Sequence, residues 1–218
     1  MKKYLVIMAA TALATSVFAQ GTISMGNLSS TLVKQWTAKG DSTLISAPVA
    51  SAQVQFLAAP TGTSLTPLGT LGAGGFSASF STLAGFLAAN PGWAAYTTTG
   101  ISPVAGRFGG GVVTINDAAH GGIAAGGNIE YIVIGWQGAT GSTLDSALAL
   151  GSSFIGQSAL VAGVATGNPT TIPAGTPSLM NATFGGLTLA PLSVVPEPST
   201  FALAGLGAAA LLAFRRRK

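Results

Sequence analysis

The fold is decided by Ile129-Glu130-Tyr131-Ile132-Val133-Ile134-Gly135-Trp136. This segment concentrates isoleucine, valine, tyrosine and tryptophan, the residue types that pack best on a pleated surface. We therefore expect a central, buried β-strand here. Tyr131 and Trp136 are expected in the core, and Glu130 is expected to point outward from a half-buried strand.

Shorter segments with alternating or β-branched residues lie on both sides of this strand. The clearest are residues 53–57 and 111–115, and weaker candidates are residues 23–28, 77–80, 158–164 and 186–189. Glycine- and proline-rich turns separate them, and no strand–helix–strand alternation is visible. The pattern predicts a mainly β ectodomain over residues 20–194, built as an antiparallel β-sandwich.

One or two short helices are expected within this ectodomain. Ser142-Thr143 provides a capping residue for a helix over residues 144–150, and Gly151 is a typical stop. A second helical turn is predicted over residues 82–89, ended by Asn90-Pro91.

Charged residues are scarce between residues 20 and 194. The basic ones are Lys34, Lys39 and Arg107, and the acidic ones are Asp41, Asp117, Glu130 and Asp145. The basic character of the whole chain comes mostly from its two ends. A nearly neutral domain has no basic patch for nucleic acid, so we expect no nucleic-acid partner. Charge repulsion between copies is also weak.

Residues for catalysis and metal binding are equally few. His120 is the only histidine and there is no cysteine. Asp117 and His120 lie close enough in sequence to form part of a Ser-His-Asp set, which keeps an envelope hydrolase open as a minor alternative. No Gly-x-Ser-x-Gly elbow accompanies them, and one histidine is too few for a zinc site. We predict a non-enzymatic protein without metal or cofactor.

Aromatic side chains suggest a second function class. Trp93 and Tyr96 follow Asn90-Pro91-Gly92 in a predicted loop. Exposed aromatic rings stack on the apolar faces of sugars. Trp93 and Tyr96 are therefore candidate glycan contacts, and a secreted carbohydrate-binding module is the main alternative to a structural or adhesive role.

The N-terminal residues 1–19 have the features of a signal peptide. Lys2 and Lys3 precede a short apolar run, and Val17 and Ala19 occupy the positions that a signal peptidase reads. Cleavage between Ala19 and Gln20 is expected, with export of the mature chain.

The C-terminal residues 195–218 combine three parts. The polar motif Val195-Pro196-Glu197-Pro198-Ser199-Thr200 precedes an uncharged apolar run over residues 201–214, which ends on Arg215-Arg216-Arg217-Lys218. The prolines keep the motif extended. The apolar run predicts a short transmembrane helix, and the basic residues act as a cytoplasmic membrane stop.

These three parts, in this order and spacing, resemble the PEP-CTERM sorting signal of Gram-negative bacteria. The resemblance implies anchoring in the inner membrane, recognition and cleavage by an exosortase near Pro196-Glu197-Pro198, and delivery to the cell surface or an extracellular polysaccharide matrix. On this basis we expect an exported, non-catalytic surface or matrix protein whose processing partners are signal peptidase and exosortase.

Overall fold

The computed structural model describes residues 21–115, 123–151, 153–168, 175–180 and 183–193. The predicted signal peptide, the C-terminal tail, and both Asp117 and His120 lie outside these residues. In the described part of the chain, no helix is long and apolar enough to cross a membrane.

Strands dominate the described residues, so the prediction of a mainly β protein is confirmed. The strands are β1 (Gly21–Gly26), β2 (Val33–Ala38), β3 (Asp41–Ser46), β4 (Ala52–Pro60), β5 (Gly69–Gly72), β6 (Gly75–Ala78), β7 (Ala94–Gly100), β8 (Gly109–Ile115), β9 (Asn128–Gln137), β10 (Phe154–Gln157), β11 (Val161–Ala165), β12 (Ser178–Leu179) and β13 (Leu187–Pro191). The two helices are α1 (Leu83–Ala89) and α2 (Leu144–Ala149).

Strand β9 is the predicted central strand. It lies inside an eight-stranded sheet whose order is β3-β2-β13-β10-β9-β4-β7, with β11 also paired to β9. Every residue from Ile129 to Trp136 is buried. The prediction that Glu130 points to solvent is therefore wrong: this side chain is only 3% exposed. Hydrophobic clusters cover both faces of the sheet at β9, so alternation does not bring Glu130 to the surface.

The two faces of the eight-stranded sheet belong to two separate hydrophobic clusters. Ile129, Tyr131 and Val133 pack on one face with residues of β1 and β8, which form a second, three-stranded sheet with β12. Ile132, Ile134 and Trp136 pack on the opposite face with residues of both helices and of the β5–β6 hairpin. The sheet is thus covered on both sides.

The predicted purely antiparallel sandwich differs from this arrangement. Strand β13 pairs in parallel with β2, and β12 pairs in parallel with β1, although the remaining pairings between strands are antiparallel. The sheets are therefore mixed. Alternation along a strand reports which residues are buried, but it carries no information about which distant strand lies alongside.

Gly135 shows why the strongest strand contains a glycine. A Cβ atom placed there would lie 2.6 Å from Leu187 Cδ2 and 3.0 Å from Leu189 Cδ2. Both leucines belong to β13 and fill the space above β9. A side chain at position 135 would therefore have to displace the Leu187 and Leu189 side chains from the packed core.

Both helices form where local signals predicted them. The Thr82 hydroxyl accepts a hydrogen bond of 3.0 Å from the Gly85 amide at the start of α1. Thr143 and Ser146 form a reciprocal capping box at the start of α2. Gly151, just past α2, has φ of 63°, the left-handed conformation that glycine adopts without strain.

Candidate functional site

Trp93 is buried, contrary to the prediction of an exposed glycan contact. Its side chain is 1% exposed, and its indole Nε1 donates a 3.1 Å hydrogen bond to the Ser64 carbonyl. Asn90, directly after α1, explains the burial. Its side chain accepts from the Thr66 amide at 2.6 Å and donates to the Thr66 carbonyl at 3.1 Å. These two hydrogen bonds hold the turn after α1 against residues 64–66, the segment whose Ser64 carbonyl accepts from the indole.

Tyr96 lies in β7 and not in a loop. It is half-buried against the core, with its ring centroid 6.2 Å from that of Phe56. The residues after Asn90-Pro91-Gly92 return directly into the sheet, which is why the turn signal did not mark an exposed loop. The described structure therefore contains no exposed aromatic platform at Trp93 and Tyr96.

Tyr131 is a core residue, as predicted. Its hydroxyl donates to the Met180 carbonyl at 3.1 Å and lies 2.9 Å from the Thr183 hydroxyl. Burial raises the pKa of Tyr131 to about 12, partly offset by the hydrogen bond with Thr183. This phenol is therefore a structural group that stays protonated at physiological pH.

Glu130 supports a turn. Its Oε2 accepts a 3.2 Å hydrogen bond from the Gly62 amide, just beyond the end of β4. Its Oε1 is buried without a hydrogen-bond partner among the described residues. Asp145 makes a different contact, accepting a 2.6 Å hydrogen bond from the Leu83 amide at the start of α1. Each carboxylate is thus engaged with its own backbone amide, in a different part of the fold.

Asn27 begins an Asn-Leu-Ser sequence that fits a glycosylation pattern. Its side chain is 3% exposed and fully engaged: Nδ2 donates to the carbonyls of Thr31 and Gly106, and Oδ1 accepts from the Phe108 amide. Arg107 also donates to the Asn27 carbonyl, at 3.2 Å. The glycine-rich segment around Arg107 is therefore held in place by Asn27 as part of the fold.

Two clefts open on the face of the large sheet that carries the helices and the β5–β6 hairpin. The first, the Lys34 cleft, has a volume of about 500 Å³. Its floor includes Lys34 and Thr188, which are paired in register on β2 and β13. Its walls come from the β5–β6 hairpin and from the loops that precede β2 and β13.

The second cleft, the Asp145 cleft, has a volume of about 650 Å³. It lies where α2 begins beside β4 and β7, and it is lined by Gln53, Gln55, Thr98 and part of Trp136. Trp136 is a core residue, as predicted, with 1% exposure and its Nε1 donating to Ser142 Oγ at 3.1 Å.

Sequence reasoning missed both clefts because it missed β2 and β7. The sequence Val33-Lys34-Gln35-Trp36 does not alternate between apolar and polar residues, and Val33, Gln35 and Trp36 are all buried while Lys34 is exposed, so β2 had no clear strand signal. Within the described ranges, no group of three or more histidine, cysteine, aspartate or glutamate side chains is placed to hold a metal ion.

Comparison with known protein families gives one match, and it lies in the C-terminal tail. Residues 194–218 match the family model described as the PEP-CTERM protein-sorting motif. The chain therefore carries a PEP-CTERM sorting motif at its C-terminal end, as predicted from the three-part tail. This motif marks an exported protein that is targeted to an exosortase and sorted at the membrane. Searches of curated proteins and of solved structures find no match.

Proposed function

We propose that this protein is a non-catalytic component of the cell surface or extracellular matrix, released to its destination when an exosortase cleaves the tail. The observation that carries the proposal is the match of residues 194–218 to the PEP-CTERM sorting motif. The predicted signal peptide supports entry into the same export route. Before cleavage, residues 201–214 anchor the chain in the inner membrane, with Arg215 to Lys218 on the cytoplasmic side.

The ectodomain supports a structural or adhesive role. The described carboxylates Glu130 and Asp145 bond separately to backbone amides, so they do not form the facing pair that a glycoside hydrolase requires. Scarce charge leaves little repulsion between neighbouring copies, which suits a protein that is packed densely at a surface.

A carbohydrate-binding module is the second candidate, and the two clefts favour it. Hydroxyl and amide side chains, the groups that exchange hydrogen bonds with sugar hydroxyls, make up 7 of the 13 residues lining the Asp145 cleft and 5 of the 15 lining the Lys34 cleft. This version of the function no longer uses Trp93 or Tyr96.

The sorting proposal is tested by replacing Glu197 in the motif. We expect Glu197→Ala to leave the protein at its unprocessed size in the membrane fraction, because the exosortase no longer recognises the extended motif. The measurement is size and fractionation of the protein in cells with and without the exosortase.

Asp41→Ala is the matched control, because Asp41 is an exposed carboxylate at the start of β3, in the folded ectodomain. This variant should be processed like the wild type. A mature species that still carries residues 201–214, and is the same in both strains, would show that the tail is a plain membrane anchor.

A further inference from the structure

The Lys34 cleft contains a single charge. Lys34 is the only ionisable residue among those that line it, and the described structure gives its ammonium group neither an ion pair nor a hydrogen bond. The described acidic residues Asp41, Glu130 and Asp145 are all absent from its lining. An unneutralised cation in a concave, otherwise uncharged site attracts an anionic group.

The rest of the lining points to a ligand larger than an inorganic ion. A volume of about 500 Å³ falls within the range of small-molecule sites. Ser30, Thr188 and Gln157 line the same cleft as Lys34, and the Oε1 atom of Gln157 already accepts a 2.7 Å hydrogen bond from the Leu68 amide. The ligand should therefore carry several hydroxyl groups beside its negative charge.

Apolar surface completes the site. Leu44 and Leu71 line the cleft and are 45% and 50% exposed, although each belongs to a different sheet. Exposed leucines that face a polar cleft suit a ligand with an apolar C–H face. A ring bearing a carboxylate, several hydroxyls and a C–H face is an acidic sugar.

The Asp145 cleft provides an internal contrast. There the only ionisable lining residue is a carboxylate, which disfavours an anionic ligand. The two clefts differ in the sign of their single charge, so only one of them suits an acidic polysaccharide.

We propose that the Lys34 cleft binds an acidic sugar residue of a polysaccharide, with the Lys34 ammonium group pairing with the sugar carboxylate. The proposal names a ligand class for the carbohydrate-binding candidate. It rests on the proposed function only in assuming that the protein reaches an extracellular polysaccharide. It holds for the folded ectodomain whether or not the tail is cleaved.

The test measures binding of oligogalacturonate to the full chain in detergent micelles, by calorimetry. Lys34→Gln should weaken binding by about tenfold, the loss expected for one partly exposed charge pair. Lys39→Gln removes the same charge in the turn between β2 and β3, outside the cleft lining, and should bind like the wild type. Lys34→Arg retains the cation and should retain most of the binding.

Matched ligands separate charge from general sugar binding. Methyl-esterified oligogalacturonate has the same rings without the charge, so it should bind at least about tenfold more weakly to the wild type. Equal binding of the two ligands, equal losses in Lys34→Gln and Lys39→Gln, or no binding of oligogalacturonate by the wild type would each overturn the proposal. Circular dichroism establishes that each variant is folded. The exosortase assay is independent, so its outcome distinguishes failure of this site from failure of the sorting proposal.

Discussion

At the scale of single residues, the hydroxyl of Tyr131 joins the central strand to the segment around Met180 and Thr183. Its pKa in the folded protein is about 12, against an ordinary value of 10.0. Between these two values an unfolded chain releases the phenolic proton and the folded chain keeps it. The free energy of unfolding should therefore fall as the pH rises from 10 to 12.

We predict that Tyr131→Phe reduces this alkaline loss of stability. The phenylalanine has no proton to release, although the variant also loses the hydrogen bonds to Met180 and Thr183 and starts from lower stability. Urea unfolding at several pH values gives the slope for each variant. Identical slopes in the wild type and Tyr131→Phe would contradict the prediction.

Residue identity alone predicted Tyr131 and Trp136 correctly and Trp93 and Glu130 incorrectly. The first two lie in a strand whose own composition indicates burial. Trp93 is buried by the contacts of Asn90 with Thr66, which are distant in sequence. Glu130 is buried because its face of the sheet is covered, and the turn after β4 supplies an amide for its carboxylate. Such contacts depend on tertiary structure, so no local pattern reveals them.

At the scale of elements, β9 contributes apolar side chains to both core clusters. Ile132 and Ile134 are fully buried between the sheet and the layer formed by the helices and the β5–β6 hairpin. Replacing either by alanine removes buried methyl and methylene groups and leaves a cavity. We expect a loss of about 2 to 5 kcal/mol in the free energy of unfolding.

Val112→Ala is the control for this prediction. Val112 belongs to a strand as well, but it is 59% exposed on β8, so its truncation should change stability by no more than about 0.5 kcal/mol. Urea unfolding followed by circular dichroism measures all three variants. Equal losses at positions 112 and 132 would show that β9 does not form the centre of the core.

Helices and strands with clear capping or hydrophobic patterns could be predicted from the sequence, but the pairing between distant strands could not. The helices are capped by Thr82 and Thr143, whose side chains satisfy free amides within three residues. The parallel pairing of β13 with β2 joins segments separated by most of the domain. That pairing also builds the Lys34 cleft, because Lys34 and Thr188 face each other across it. The site was therefore not predictable from either strand alone.

At the scale of the whole molecule, the tail begins immediately after the folded core. The Leu192 and Ser193 amides still donate to the carbonyls of Ser153 and Phe76, and the motif starts at Val195. A single residue spans only about 3.3 to 3.6 Å. The exosortase must therefore approach a motif that lies within a few residues of the ectodomain.

The position of β13 inside the sheet has a mechanical consequence. A pull on the tail acts along β13, which is held by β2 on one side and β10 on the other, and therefore shears two ladders at once. A single-molecule pull through the tail should rupture the sheet in one abrupt, high-force event. A pull through β3, an edge strand of the described sheet, should peel it at lower force. Equal forces, or a lower force through the tail, would contradict this prediction; a higher force through the tail would mean that the ectodomain resists traction best along the strand that leads into the sorting motif.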